Sequence, residues 1–495
     1  MMQLFRKIGD ELIIVYGPTE SVEVGDTLNV EEGQRGIIAQ VIESSLLDLP
    51  GILEEVVRSE ITDEEVRSIG GTDYALYSAR IKNMRFARCK IRKEVRGERI
   101  VDWTGYSPSR DATITRMRED TVLASLMGTT NLRHPINIGR GLGGTEVAIS
   151  AADLQGLTLV VGRKGMGKSH VAKSVLLGLI ENGAYCVVFD VNDEYTRLGI
   201  LPNGDPHPTL ANAVIVRRPK ETLRFTLQYM GQEVFLDLLE TIGVADASLY
   251  QVRDIWERLT QEGGAGLSFA NLMNEVNGVT DGRIRGALQR RLRFLQGTLA
   301  PGETAPSESI ITDAETEATT LEQILPTGAA QSQRGRVLVI SLRGLDHVIM
   351  KTTVQTILSR LRQLLEDRRM PPIFLFAEEA HLYLSETDWL EVVTRMRHLG
   401  MYQVYLTNTP TRVSNLIVRQ VDNLLLFHLD LEEDARHVSP ASRMDEVSVG
   451  LVARSLPARR FVAVGAITGE FPIQLSTLEL PTTAAGETVL RFTER

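Results

Sequence analysis

LTLVVGRKGMGKSHVAKSVLLGLIENG, residues 157–183, decides the fold. Five apolar or β-branched residues lead into Gly162-Arg163-Lys164-Gly165-Met166-Gly167-Lys168-Ser169, which fits GxxxxGK[ST], and a stretch with helical spacing then runs to Gly183. The pattern means little in an isolated polar loop, but strand before and helix after are the setting it requires. Glycines let successive backbone N–H groups turn inward around phosphate oxygens, and the helix adds the positive end of its dipole. Lys168 supplies a point charge for the β- and γ-phosphates, and the Ser169 hydroxyl is a hard oxygen suited to Mg2+. The residues expected around a nucleotide therefore run from Gly162 through His170. Next comes YCVVFD, residues 185–190, an unbroken apolar run of the kind that suits a parallel strand buried on both faces. Together these segments make a βαβ unit.

Further strand signals follow at RVLVIS (336–341), PIFLFAEE (372–379), YQVYLTN (402–408) and NLLLFHL (423–429), with helix-like segments between them. At about 150 residues per domain, 495 residues predict roughly three units. Residues 1–120 read as short strands between glycine turns, hence a small β-barrel; 121–230 and 336–455 form one α/β core. Residues 231–335 are a mostly helical insertion whose end, 297–331, carries six acidic and no basic residues and reads as a mobile acidic loop. Residues 456–495 hold two terminal strands, expected to brace the core or a neighbouring subunit.

A net charge of −10 excludes a uniformly basic coat, so any nucleic-acid surface must be local. Arg80 to Arg99 is such a place: nine basic residues against Glu94 and Glu98. As a strand, Ala87, Cys89 and Ile91 would face inward and Arg88, Lys90 and Arg92 outward, either as a solvated face matched by acidic neighbours or as a nucleic-acid contact. Cys89 and Cys186 are too far apart in sequence for a CxxC site and too few for a disulfide framework. With no apolar run long enough to span a bilayer and no signal-peptide core, the expected location is cytoplasmic, without membrane contact. Only 9 of the 54 basic residues are lysine, and three of those lie between Lys164 and Lys173.

Hydrolysis needs carboxylates at the end of a neighbouring buried strand. Glu378 and Glu379 meet that need: Glu378 would hold Mg2+, through a metal-bound water because it is one methylene longer than Asp, and Glu379 would orient the attacking water. His381 has a structural reading beside a functional one. Asn408, at the end of the next strand, either contacts the γ-phosphate or lytic water or forms a turn before Thr409-Pro410.

In this order the elements resemble the HerA family of hexameric DNA translocases, relatives of the FtsK pumps in the RecA-like class. The resemblance covers most of the chain. The amino-terminal strands resemble the HAS-barrel, Gly139 to Leu154 the lead-in strands, Phe189-Asp190-Val191-Asn192-Asp193-Glu194-Tyr195 the family's Asp...Glu-Tyr segment, Val339 to Leu345 its mid-domain strand, and Glu378-Glu379-Ala380-His381 its Walker B. Arg397, in Thr394-Arg395-Met396-Arg397-His398-Leu399-Gly400, aligns with the arginine expected to reach a neighbour's nucleotide, with Arg395 as runner-up. Asn408 stands for the more usual Gln and Glu378 for Asp, and Arg163-Lys164 makes the phosphate loop unusually basic.

The resemblance implies a RecA-like P-loop NTPase core using ATP and Mg2+, a homo-hexamer, and double-stranded DNA in a central channel. It also implies an effector docked on the barrel end, such as a NurA-like nuclease or a sirtuin-like NAD hydrolase, working in DNA-end processing or antiphage defence. No nuclease signature appears in this chain. Candidate DNA contacts are Arg217-Arg218, Arg283-Ile284-Arg285 and Arg290-Arg291-Leu292-Arg293, the last two clusters also fitting a solvated helix face. Two rivals remain. A conjugation or secretion ATPase would normally bring membrane segments, and a ring scaffold that only binds nucleotide has no need of Glu379.

Overall fold

The alternating amino-terminal segments pair into an antiparallel sheet. In the computed structural model, which describes residues 2–46, 83–97, 99–127, 132–261, 266–295, 309–325 and 335–482, this sheet holds β1 (Met2–Ile8), β2 (Glu11–Tyr16), β3 (Thr27–Glu32), β4 (Arg35–Leu46), β5 (Arg85–Arg96), β6 (Arg99–Val101) and β7 (Thr113–Met117). Its order is β1-β2-β5-β4-β3-β7, with β6 paired to β5. Ala87, Cys89 and Ile91 of β5 are buried in one cluster with Leu12, Ile14, Leu28 and Val30, as period-two alternation requires. The end strands β1 and β7 lie side by side, but no hydrogen-bonded ladder joins them among the described residues, so the observed unit is a barrel-like sheet.

The opposite face of β5 is matched by acids. Arg88 pairs with Glu11 at 2.8 Å, Lys90 with Asp10 at 2.9 Å and with Asp445 at 3.5 Å, Lys93 with Asp102 at 2.7 Å, and Arg96 with Glu94 at 2.7 Å. Of the two readings of this strand, the structure supports the face matched by acidic neighbours. Arg80, Lys82 and Glu98 lie outside the described residues.

After α1 (Glu119–Met127), β8 (Pro135–Gly141) and β9 (Glu146–Ser150) precede β10 (Leu157–Val161), α2 (Lys168–Glu181), β11 (Tyr185–Asp190) and β12 (Val214–Arg217). A helical block follows: α3 (Leu227–Met230), α4 (Gln232–Thr241), α5 (Asp246–Gln261), α6 (Phe269–Asn277), α7 (Gly282–Leu295) and α8 (Leu321–Ile324). The chain then returns to the sheet through β13 (Arg336–Ser341), α9 (His347–Glu366), β14 (Ile373–Glu378), α10 (Glu386–Arg395) and β15 (Met401–Thr407). It ends with α11 (Asn415–Val418), β16 (Asn423–Leu426), α12 (Glu432–Val438), α13 (Glu446–Ser455), β17 (Arg460–Gly465) and β18 (Ile473–Ser476).

The core sheet has eleven strands in the order β12-β13-β11-β14-β15-β10-β16-β17-β18-β8-β9. From β12 to β16 all pairings are parallel, and from β16 to β9 all are antiparallel. Every residue of β10, β11 and β14 is buried, which explains their uninterrupted apolar sequences. In the helical block Val252, Ile255, Trp256 and Leu259 of α5 lie on one face and meet Leu272 and Val276 of α6 and Leu288 and Leu292 of α7. Among the described residues no helix is long and apolar enough to cross a membrane.

The acidic segment departs from the mobile loop expected of it. Of 297–331, residues 309–325 are described, and they pack down: Ile310, Leu321, Ile324 and Leu325 are buried, and Phe225 bridges to Ile311. Their acids serve as caps and ion partners. Asp313 accepts the N–H groups of Phe269 at 2.6 Å and Ala270 at 3.0 Å, at the start of α6, and Glu317 pairs with Arg224 at 2.8 Å. Residues 297–308 and 326–331 lie outside the described residues.

Candidate functional site

The parallel strands deliver the polar residues to one edge of the sheet, their carboxyl ends. The phosphate loop leaves β10, Glu378 ends β14 with Glu379 just after it, Asn408 follows β15, and Asp190 ends β11. Because β15 lies between β10 and β14, the loop and the carboxylates are two strand spacings apart, roughly 10 Å. Such a gap has room for a terminal phosphate and a water.

The loop's glycines are required by its geometry. Gly162 has φ +149°, and a Cβ there would stand 2.4 Å from the Cβ of Phe427; Gly165 and Gly167 have φ +82° and +111°. Arg163 anchors the loop through its N–H to the His428 carbonyl at 2.8 Å, while its guanidinium pairs with Asp430 at 3.3 Å. Lys164 and Gly165 are exposed, and Met166, Gly167, Ser169 and His170 are half-buried. The His170 imidazole meets the Leu478 carbonyl, and burial holds its pKa below the usual value. The first N–H to close an α2 hydrogen bond is that of Val171, onto Gly167, so those of Lys168, Ser169 and His170 open the helix as donors without helical acceptors.

Lys168 is buried. Its ammonium donates to the carbonyls of Gly162 at 2.6 Å and Arg163 at 2.9 Å and to Asn408 Oδ1. Burial pulls its pKa down to about 8, against the opposing charges of Glu379, Glu194 and Glu378. Asn408 also faces the other way, its Nδ2 and its backbone N–H both donating to Glu379 Oε1, the latter at 2.9 Å. One amide thus joins the phosphate-loop lysine to the carboxylate across the gap. Thr407 Oγ1 donates to Glu379 Oε2 at 2.9 Å, fixing the second oxygen. Glu379 itself has φ +45°, a left-handed turn that takes its side chain out of the alternation of β14.

Glu378 is buried, and its Oε2 has no hydrogen-bond partner. Burial first, then the charges of Glu194 and Asp190, raise its carboxyl well above the usual range. An orphaned buried carboxylate oxygen fits a cation's coordination sphere, and with the Ser169 hydroxyl it offers the hard donors Mg2+ prefers. Among the described residues no group of three His, Cys, Asp or Glu side chains could form a metal cage.

Several contributors were not legible as site residues. Thr407 is one. Asp190 is buried and accepts the N–H groups of Asn192, Glu194 and Tyr195 at 3.3, 2.9 and 2.8 Å; burial still raises it to about 6. Lys173, buried one turn after Ser169, lies 3.7 Å from Glu194 and over the Tyr195 ring. The concentration of lysines at 164–173 was the available signal. His381 Nδ1 is 3.6 Å from Glu379 Oε2, and the residue lines a cavity of about 600 Å3 with Trp389, Arg412, Ser414 and His437.

Arg397 is elsewhere. It pairs with Asp422 at 3.0 Å at the start of the strands, where Asp422 also accepts the Leu157 N–H at 2.8 Å. The length of β15, roughly 20 Å, separates it from Asn408. Arg395, two residues earlier, is exposed and pairs with Glu391 at 3.3 Å. Arg217 ends β12 half-buried; Arg218, Arg283, Arg290, Arg291 and Arg293 are exposed, and Arg285 donates to the Val279 carbonyl at 3.0 Å.

Residues 136–361 match the family model described as the central domain of the helicase HerA. No curated protein matches the chain by sequence. Among solved structures, VirB4 of Thermoanaerobacter pseudethanolicus is 14% identical with a TM-score of 0.49, covering 71% of this chain and 99% of its own. The plasmid coupling protein TrwB in complex with ADP and Mg2+ is 13% identical with a TM-score of 0.49, covering 73% and 93%. The genome-packaging NTPase B204 from Sulfolobus turreted icosahedral virus 2, in complex with ATP-gammaS, is 11% identical with a TM-score of 0.32, covering 66% and 99%. The phosphate loop, Asp190 and β13 fall inside the matched residues, whereas Glu378, Glu379 and Asn408 follow them. Over residues 136–361 the chain is therefore similar to the central domain of the helicase HerA.

Proposed function

We propose that this protein is an ATP-hydrolysing ring motor that moves double-stranded DNA through the channel of a homo-hexamer in the cytoplasm. Its amino-terminal, barrel-like sheet is the docking end for a nuclease or other effector acting in DNA-end processing or antiphage defence. The observation that carries the reading is the Lys168–Asn408–Glu379 chain across the sheet edge. A site that only bound nucleotide would need the lysine and the loop but not a carboxylate fixed on both oxygens and tied to that lysine. This favours turnover over a passive scaffold.

In the proposed reaction the loop's N–H groups and Lys168 hold the triphosphate, and Lys168 neutralises charge on the terminal phosphate. Ser169 and Glu378 are the residues that would hold Mg2+, which would supply further positive charge to the phosphates. Glu379 accepts a proton from the attacking water, with Thr407 and Asn408 setting its orientation. Asn408 gives the site a way to register the terminal phosphate, since a phosphate that draws Lys168 away frees its amide oxygen. Arg397 is too far from its own loop to take part there, so its proposed role is at a neighbour's nucleotide.

The assignment is tested with two variants. Lys168→Ala should abolish nucleotide binding, whereas Glu379→Gln should bind ATP as the parent does and lose at least about a hundredfold in turnover. Equal ATPase rates in Glu379→Gln and the parent would sink the assignment.

A further inference from the structure

We propose that Arg459 is a nucleotide-binding residue, placing a second cation beside the phosphate loop at the α-phosphate end of the site; this rests on the nucleotide site proposed above. Arg459 lies between α13 and β17, far from the loop in sequence, yet its backbone is fastened to it. Its N–H donates to the Met166 carbonyl at 2.9 Å, and its own carbonyl accepts the Thr477 N–H at 2.9 Å. Its Cα lies 3.5 Å from the point where a Cβ on Gly167 would stand. The residue is thus pinned between the phosphate loop and the segment after β18.

Two features mark it as more than a spacer. Its φ is +65°, a conformation in which glycine is the unstrained choice and a long side chain is costly. Strain of this kind clusters at functional sites, and Glu379 of the same site shares it at φ +45°. In addition, the Arg459 side chain is exposed and has no carboxylate partner among the described residues, while the surrounding arginines are committed: Arg460 to Glu23 at 2.9 Å, Arg163 to Asp430 at 3.3 Å and Arg443 to Glu470 at 2.6 Å. Its charge reaches His170 in the first turn of α2, adding to burial and to Lys173 in lowering the pKa of that imidazole.

Position within the loop determines which part of the nucleotide Arg459 serves. The Lys168 ammonium points toward Asn408, beside Glu379, where the terminal phosphate would lie. Backbone N–H groups entering the helix cradle the α- and β-phosphates, so the His170 side is the opposite end. A guanidinium there contacts oxygens common to ATP and ADP. It would hold product as firmly as substrate and so set nucleotide residence rather than the hydrolytic step.

The test uses the full chain and calorimetric titration with ATP and with ADP. Arg459→Gly keeps the backbone conformation without strain, so its thermal stability should equal or exceed the parent's. Its affinities for ATP and ADP should both fall by the same factor, about tenfold. Arg459→Lys should recover part of the loss. Parent-like affinity for both nucleotides in Arg459→Gly would overturn the proposal, as would a loss confined to ATP. If the parent binds nucleotide and Lys168→Ala does not, such a result removes the Arg459 role alone. A parent that binds neither nucleotide removes the site itself.

Discussion

Burial separates Lys168 from the exposed Lys164, four residues earlier in the same loop. With its pKa held at about 8 instead of 10.5, the free site loses the ammonium proton in mildly alkaline solution. A bound phosphate favours the charged form and restores it. Nucleotide binding should therefore take up a proton above pH 8, and affinity should fall between about pH 8 and 10, by at most tenfold per pH unit. Calorimetry in buffers of different ionisation enthalpy measures this uptake; binding without proton uptake at pH 9 would contradict it. For folding the sign is reversed. Between the two pKa values the unfolded chain holds more protons at this group than the folded one, so its charging penalty burdens the fold below pH 8 and fades as pH rises. Asn408→Ala should leave ATP affinity within a few-fold and reduce turnover by about a hundredfold, because Glu379 loses the side-chain amide donor and its link to Lys168, keeping only the backbone N–H. Parent-like turnover would deny Asn408 its role. Lys168 and Glu379 were legible because motif and strand context name them. The choice between turn and sensor for Asn408 was not, because it depends on β15 lying between β10 and β14, a pairing no local sequence encodes.

At the scale of elements, β10, β11 and β14 could be read directly, since strands buried on both faces have no polar alternation to obscure them. Residues 309–325 of the acidic segment differ from the mobile loop expected there for a physical reason. Acid-rich composition ordinarily signals solvation, but Asp313 is spent on the first N–H groups of α6 and Glu317 on Arg224. Asp313→Ala should therefore cost about 1 kcal/mol and speed amide exchange at the start of α6, while ATP affinity stays unchanged. Unchanged exchange there would return the segment to the status of a loose loop. The turn from β10 into α2 is less tolerant. Gly162→Ala puts a methyl against Phe427 in a backbone conformation that resists it, so a loss of ~1–3 kcal/mol is expected together with weakened nucleotide binding. Thermal denaturation with and without ATP reads both effects.

For the whole molecule, the −10 charge limits where DNA could run, and acids pair four of the basic side chains of β5, those of Arg88, Lys90, Lys93 and Arg96. Part of that pairing instead fastens the amino-terminal sheet to the core: Lys90 reaches Asp445 at 3.5 Å, Arg460 reaches Glu23 at 2.9 Å, and Gln40 donates to the Pro472 carbonyl at 3.1 Å. An effector docked on that sheet would therefore be coupled to the core through fixed contacts. The trans role proposed for Arg397 belongs to the scale of the ring. Arg397→Ala should bind ATP and fail to hydrolyse it. Mixed with Lys168→Ala subunits, it should regain part of the activity at interfaces that combine an intact loop with an intact arginine; no recovery in confirmed mixed rings would exclude the trans role. The central claim, an ATP-driven motor that moves DNA, is tested most directly by the ATPase rate of the full chain with and without duplex DNA, on a sample whose assembled mass has been measured. The expected result is a hexamer whose hydrolysis is stimulated by duplex DNA, and a ring whose rate is indifferent to DNA would contradict it.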